Sequence, residues 1–554
     1  MRGPIPSLYV QDTYHATPRM TFVAGLRWGP NYMPVDYFNR GSVFNYSDFL
    51  SGTVSSVYPN APAGILFYGD KGVPKGFTQN SPWQFSPNVA ASWDPFGNGK
   101  TVIRAGAELS YDKPNFFTGQ RTNQNPPFAT AISNTQTSGT GPLSFGAPWS
   151  VGSITTNPFP QPIVPTPSQA IFYSQSQYIV MPSQFHPAYT VQWTFSVQHE
   201  FPAGWQAQVD YIGNHTVHDP MGTPLSPAVF IPGVWGAGGT GCAGIVTTGP
   251  AAVKPGAAGT NCSTTKNENS RFALTIANPA QGNQIEGGGA GSVTVNDVGG
   301  ASYNGMVATL QHRLSATFSL LANWTWSKCL DIADGQGDIA AGLYENPNNP
   351  KMDWGPCGFD YRDIENFVVV ARSNFHDLNR AERLLINNWE IAPLVHITTG
   401  AAVNVIAGVD NSLTDEAYDR PNLVPGVNPY AEVKFLKGPG EANREFLNPA
   451  AFAQVTAPCG SNTNGCAEVG TFGNIGRNAF RTPPFFQFDS QVSRIFPIHE
   501  NLNLDLRLEA FNVLNHPDFG SPTATLSSST FGQISSTASG NAARVFQGSA
   551  KIVF

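Results

Sequence analysis

Several things are scarce in this 554-residue sequence, and each shortage removes a class of protein. Charged residues make up only 12%, and Lys and Arg are scattered rather than clustered. With a net charge of -7 and a pI near 5.8 there is no basic face for phosphates, so no nucleic-acid partner is expected. No stretch approaches the roughly 18 consecutive apolar residues that a membrane helix needs, so any membrane crossing falls to strands. The start, Met1-Arg2-Gly3-Pro4-Ile5-Pro6, has no apolar run of signal-peptide length. What the sequence does hold is 12% aromatics, 56 Gly and 46 Pro, a composition suited to many strands and many loops.

The clearest strand is Asn501-Leu502-Asn503-Leu504-Asp505-Leu506-Arg507-Leu508-Glu509-Ala510, where polar and apolar residues alternate without a slip. Only an extended chain places those leucines on one face. Similar segments come in pairs with short links. Leu8 to Tyr14 precedes Met20 to Trp28, and Asn88 to Trp93 precedes Thr101 to Tyr111. Thr190 to Phe201 precedes Trp205 to Gly213, and Tyr303 to Arg313 precedes Thr317 to Trp326. Phe367 to Phe375 precedes Trp389 to Thr399 across a somewhat longer link, and Phe485 to Phe496 precedes Asn501 to Leu514. Arg544 to Phe554 closes the series. Within Thr317 to Trp326, Leu321 breaks the alternation.

Between the pairs lie much longer segments, such as Asp112 to Pro187 and Asn214 to Gly300. One end of each hairpin is short and the other long. That asymmetry, with strands of about ten residues, predicts an all-β antiparallel transmembrane β-barrel with short periplasmic turns and long extracellular loops. Trp28, Trp193, Trp205, Tyr211, Trp324 and Trp326 sit on the apolar phase, where amphipathic rings favour the lipid interface. A soluble β protein would use the same aromatics as core, but would spread its loops over both ends.

Several short phrases recur in order along the chain, and together they carry a family resemblance. They are Tyr9-Val10-Gln11-Asp12 with Thr17-Pro18-Arg19, Phe85-Ser86-Pro87 leading to Trp93-Asp94-Pro95-Phe96-Gly97, and Thr101-Val102-Ile103-Arg104. Tyr303-Asn304, Thr325-Trp326-Ser327-Lys328 and Asn448-Pro449-Ala450-Ala451-Phe452 follow. The last are Phe472-Gly473-Asn474 with Gly476-Arg477-Asn478, and Glu509-Ala510-Phe511-Asn512-Val513-Leu514-Asn515-His516-Pro517. In this order and spacing they resemble the Oar-like TonB-dependent receptors, and the resemblance implies a 22-stranded barrel around an N-terminal plug, of which residues 1–554 would be the C-terminal part, with about thirteen strands. Neither a plug, a TonB box nor a carboxypeptidase-regulatory-like domain is expected within them. It implies outer-membrane lipid and the barrel-assembly machinery as partners, with the terminal strand read through Phe546, Ile552 and Phe554. The TonB complex would join only in a form that has a plug.

No catalytic chemistry is legible, no cofactor is expected, and an enzyme is not the reading. His199-Glu200 and His499-Glu500 lack the second His of a zinc-protease helix. Gly99-Lys100-Thr101 has Asp94 where a phosphate loop needs Gly. Asp331, Asp334 and Asp338 with Gly335 miss the order of a calcium loop. Asp505, Arg507 and Glu509 on one strand, and Gln206, Gln208 and Asp210 on another, are expected to face the lumen, as solute or plug contacts or as mutually paired, hydrated charges. The six cysteines fall two to a loop, which points to disulfides Cys242 with Cys262, Cys329 with Cys357 and Cys459 with Cys466; free thiols or metal binding are the alternatives. Two functions remain open: uptake of an unidentified extracellular solute across the bacterial outer membrane, or a structural or adhesive surface role.

Overall fold

The computed structural model describes every residue except 1, 77, 114–115, 129–143, 149–163, 283, 286–290, 313–316, 333, 335–343, 377–378, 416–417, 432–443, 456–469, 500–501 and 541. A 15-stranded sheet dominates it, and thirteen of its strands follow one another in chain order. These are β1 (Leu8–Thr17), β2 (Met20–Trp28), β3 (Phe85–Trp93), β4 (Thr101–Tyr111), β5 (Tyr189–Glu200), β6 (Trp205–Pro224) and β7 (Val293–His312). β8 (Phe318–Asp331), β9 (Asp363–Arg372), β10 (Trp389–Thr398), β11 (Phe485–His499), β12 (Leu502–Phe511) and β13 (Val545–Val553) complete the series. Each pairs antiparallel with the next. Among the described residues no ladder joins β1 to β13.

The short links have local reasons to turn. In the link after β3, Asp94 accepts the backbone N–H of Gly97 and of Gly99 at 2.8 Å each, and both glycines have φ near +70° (69° and 70°). A side chain at Gly97 would also run into the Arg19 guanidinium. The longer link between β9 and β10 holds a helix, Arg380–Ile386, started by a capping box in which Asn379 and Glu382 bond each other's backbone N–H.

Burial separates the molecule into two regions. Among the large apolar side chains of the thirteen strands only Met221, Pro224, Val293 and Val295 are buried, and all four lie where β6 and β7 run on past their neighbours. The remaining buried apolar side chains belong to the long connections. Phe49, Tyr58, Ile65, Phe67, Phe128, Tyr178, Val180 and Leu274 form one core, with Tyr58, Phe67 and Phe128 in edge-on ring contacts. Val403, Val405, Leu447, Phe452, Ile475, Phe480 and Phe531 form a second. A soluble sandwich would bury the sheet; here the loops carry the core and the sheet leaves its apolar face uncovered.

Several strand bounds differ from expectation: β9 runs Asp363–Arg372 rather than Phe367 to Phe375, β8 runs on to Asp331, and the largest changes are in β6 and β7. β6 and β7 extend well past Gly213 and well before Tyr303, and each is 20 residues long. The extra pairing is built from Gly, Pro and His positions that show no alternation, so periodicity alone misses it.

Candidate functional site: the polar face and the braced outer end

Direct cross-strand partners point to the same side of a sheet, so register carries a face from strand to strand. Gln206 pairs with Gln311, Gln311 with Leu321, Leu321 with Val368, Val368 with Leu394, and Leu394 with Asp489. Two residues along β11 is Gln491, which pairs with Glu509. The row Gln206, Gln208, Asp210 and the row Asp505, Arg507, Glu509 therefore share one face, though five strands lie between β6 and β12. Arg507 lies 3.5 Å from Asp505 and 4.0 Å from Glu509, and Gln208 donates to both oxygens of Asp210 at 2.9 Å. Leu321 belongs to a short apolar row with Val368 and Leu394 set across that polar face. On the opposite face Leu504, Leu506 and Leu508 sit beside Ile552, Ala550 and Gly548, with Phe546 beside Ala510; Phe546, Ile552 and Phe554 are 62%, 61% and 96% exposed.

At the loop-bearing end, arginines tie separate loops together. Arg477 donates from Nε to the Asp353 carbonyl at 2.8 Å and from Nη1 to Asp334 at 2.7 Å, and its Nη2 bonds both the carboxylate and the carbonyl of Asp331. Asn478 donates to Asp334 at 2.9 Å and to the Pro356 carbonyl at 2.7 Å. The cation held by Asp331 and Asp334 is thus a guanidinium; Gly335 and Asp338 lie outside the described residues. Arg420, itself buried, pairs with Asp353 and with Glu345 and donates to the Ile475 carbonyl at 2.7 Å. Arg481 pairs with Asp360 at 2.5 Å.

Arg271 is fully buried and donates to the Val229, Leu413 and Thr264 carbonyls and to Asn267. Around it burial, reinforced by neighbouring carboxylates, raises Glu268 to about 7 and Asp415 to about 6. Burial likewise raises Asp419 to about 7 against the hydrogen bonds from Ser412. Disulfides join Cys242 to Cys262 and Cys329 to Cys357, while Cys459 and Cys466 lie outside the described residues. His199 is bonded to Thr101 at 2.7 Å. Arg271, Arg420 and Arg481 carry no sequence signal beyond their presence in long loops of a charge-poor chain; Arg477 stands in the Gly476-Arg477-Asn478 phrase, which names no partner for it.

The model of the outer membrane beta barrel domain family matches residues 1–547. The chain belongs to that family. As a member it is a protein of the bacterial outer membrane, with the antiparallel sheet crossing the bilayer and the uncovered apolar face turned to lipid. A comparison with curated proteins finds no match. Among solved structures the outer membrane transporter YddB from Escherichia coli is similar at 8% identity, with a TM-score of 0.44, over 99% of this chain and 45% of that one. The ferric enterobactin receptor PfeA of Pseudomonas aeruginosa is similar at 11% identity and a TM-score of 0.42, over 99% and 45%. The siderophore receptor PirA of Acinetobacter baumannii follows at 9% and 0.39, over 99% and 46%. This member of the barrel family spans less than half the length of each.

Proposed function

We propose that this chain is the C-terminal part of an Oar-like, TonB-dependent outer-membrane receptor that takes up a solute. In this reading the face bearing Gln206, Asp210, Asp505, Arg507 and Glu509 is lumenal, the braced loops receive the solute outside, and the remaining strands and the plug complete the barrel. The observation that carries it is that the polar rows of β6 and β12 fall on one face of the sheet, opposite the face that carries the β12 leucines. No covalent chemistry takes place; TonB acts through the plug.

A structural or adhesive role is the second reading, favoured by the loops' own buried cores and disulfides, which make a stable surface module without reference to a solute. A deletion strain separates the two. Competed against its parent across a panel of sole nutrient sources, the mutant is expected to lose on particular nutrients, and the loss should vanish in a strain lacking TonB. A mutant that grows equally on every nutrient but attaches poorly to surfaces would establish the adhesive reading.

A further inference from the structure

We propose that His186, His218 and Asp297 form a binding site for a divalent first-row transition cation at the loop-bearing rim of the sheet. The three come from separate segments: His186 from the stretch entering β5, His218 from the outer extension of β6, and Asp297 from that of β7. One donor atom of each lies within 4.8 Å of the other two.

The ladder itself creates the meeting point. Asn296 pairs with Met221, Gly299 with Asp219 and Gly300 with Val217, so Asp297, Val298 and His218 fall out of register between them. Bulges of this kind re-aim side chains. His218 is held at φ +62°, uncommon for a residue with a Cβ. At Gly299 a Cβ would stand 2.5 Å from the Asp219 carbonyl, so only glycine permits this approach of the two strands.

The donors lie near enough to one another to close on an ion after a small side-chain rotation. His186 Nδ1 is 2.5 Å from Asp297 Oδ2, and the His186 backbone N–H donates to the same oxygen at 2.9 Å. His218 Nδ1 lies 3.2 Å from the Asp297 carbonyl oxygen and 3.9 Å from Asp297 Oδ2, which sets the ring beside the carboxylate. The two rings lie side by side, 5.0 Å apart. Bonds of about 2.0–2.2 Å bring ligand atoms to little over 3 Å from one another; the exposed His186 side chain supplies the needed rotation. On binding, neutral His186 takes the tautomer with its ring proton on Nε2, and the ion occupies the space between Nδ1 and Asp297 Oδ2. Two imidazoles and one carboxylate select Zn²⁺, Cu²⁺ or Ni²⁺ over Mg²⁺ and Ca²⁺. Three protein ligands leave positions for water or a donor solute.

The test uses the full chain, folded in detergent and stripped of metal. Calorimetric titration should give one Zn²⁺ per chain, no heat with Mg²⁺ or Ca²⁺, and affinity lower by at least about tenfold in His186→Ala, His218→Asn and Asp297→Asn. Asn is chosen at 218 because it accepts positive φ. Loaded with one Cu²⁺, the unmodified protein should show nitrogen hyperfine splitting from two imidazoles in its electron paramagnetic resonance spectrum. The proposal fails if the His186→Ala/His218→Asn double variant keeps the original stoichiometry and affinity. Should the variants not fold, the Cu²⁺ spectrum decides: a signal with fewer than two nitrogens overturns the site.

Discussion

Arg494 sits directly opposite Trp389 in the ladder between β10 and β11, with its guanidinium 5.1 Å from the indole ring centroid and 4.5 Å from that of Phe496. All three are on the face that carries the β12 leucines. A cation packed on aromatic rings near the short-link end of two strands marks the level of the headgroups, where such pairs are favoured. Leu506 pairs with Arg494 and shares that level, so Leu508, two residues further from the short links, lies deeper.

Leu508→Arg is therefore expected to cost about 2–4 kcal/mol in lipid. Asp505→Asn, on the polar face, should cost little. Folding titrations into phospholipid vesicles measure both; equal losses would mean that the two faces are wrongly assigned.

Arg477→Ala should destabilise the outer end by about 3–5 kcal/mol, because it strands the Asp331 carboxylate without its partner. Limited proteolysis of intact cells would register it as new cleavage within residues 332–362 and 399–484. Arg477→Lys should fail to restore protection, since an ammonium cannot reach Asp334, Asp331 and the Asp353 carbonyl together.

Stability of the loop region should rise as pH falls from 8 to 5. Glu268, Asp415 and Asp419 have folded values of about 7, 6 and 7, raised first by burial, above the ordinary carboxylate range. Between those ranges the folded state holds more protons than the unfolded one, so the stability slope with pH is negative. Asp36 and Asp70 are shifted the other way, Asp36 by hydrogen bonds and charge from Arg40 and Asp70 by Ser55, Ser56 and Phe67, each overcoming burial; their contribution is lost only in more acidic solution. Thermal melts at pH 5 and 8 check the sign, and Asp419→Asn should flatten the difference. A melt that is lower at pH 5 would contradict the assignment.

Replacing Cys242 and Cys262 together by Ser should cost the loop about 3 kcal/mol and expose Trp235, which packs against the disulfide. Trp fluorescence and peptide mapping under non-reducing conditions read this out. The same mapping reports whether Cys459 and Cys466 are joined.

Much of the sheet was legible because its signal is local. β12 alternates without fault, and the link at Asp94 to Gly99 contains its own turn chemistry, so strand and turn are written in neighbouring residues. The outer part of β6 is different: Asn214 to Pro224 is held by β7 across a bulge, and no periodicity announces it. Leu321 looked like a fault in the pattern and is instead one member of a row completed by Val368 and Leu394 from two other strands. The bracing arginines were silent for the same reason. Arg477 lies far along the chain from Asp331, and nothing near either residue names the other.

The distribution of partners across the loops also sets an order of events. Each of the two disulfides closes within a single connection or at its edge, whereas Arg477 and Arg420 bind the segment 332–362 from a different connection, and Arg271 reaches Leu413. A strand-crossing protein inserted from the periplasm must carry these connections through the bilayer before they can meet. The crosslinks need only their own loop and are compatible with passage. The arginine pairs need two loops side by side, so they close last, on the cell exterior, and hold the delivered strands against retreat.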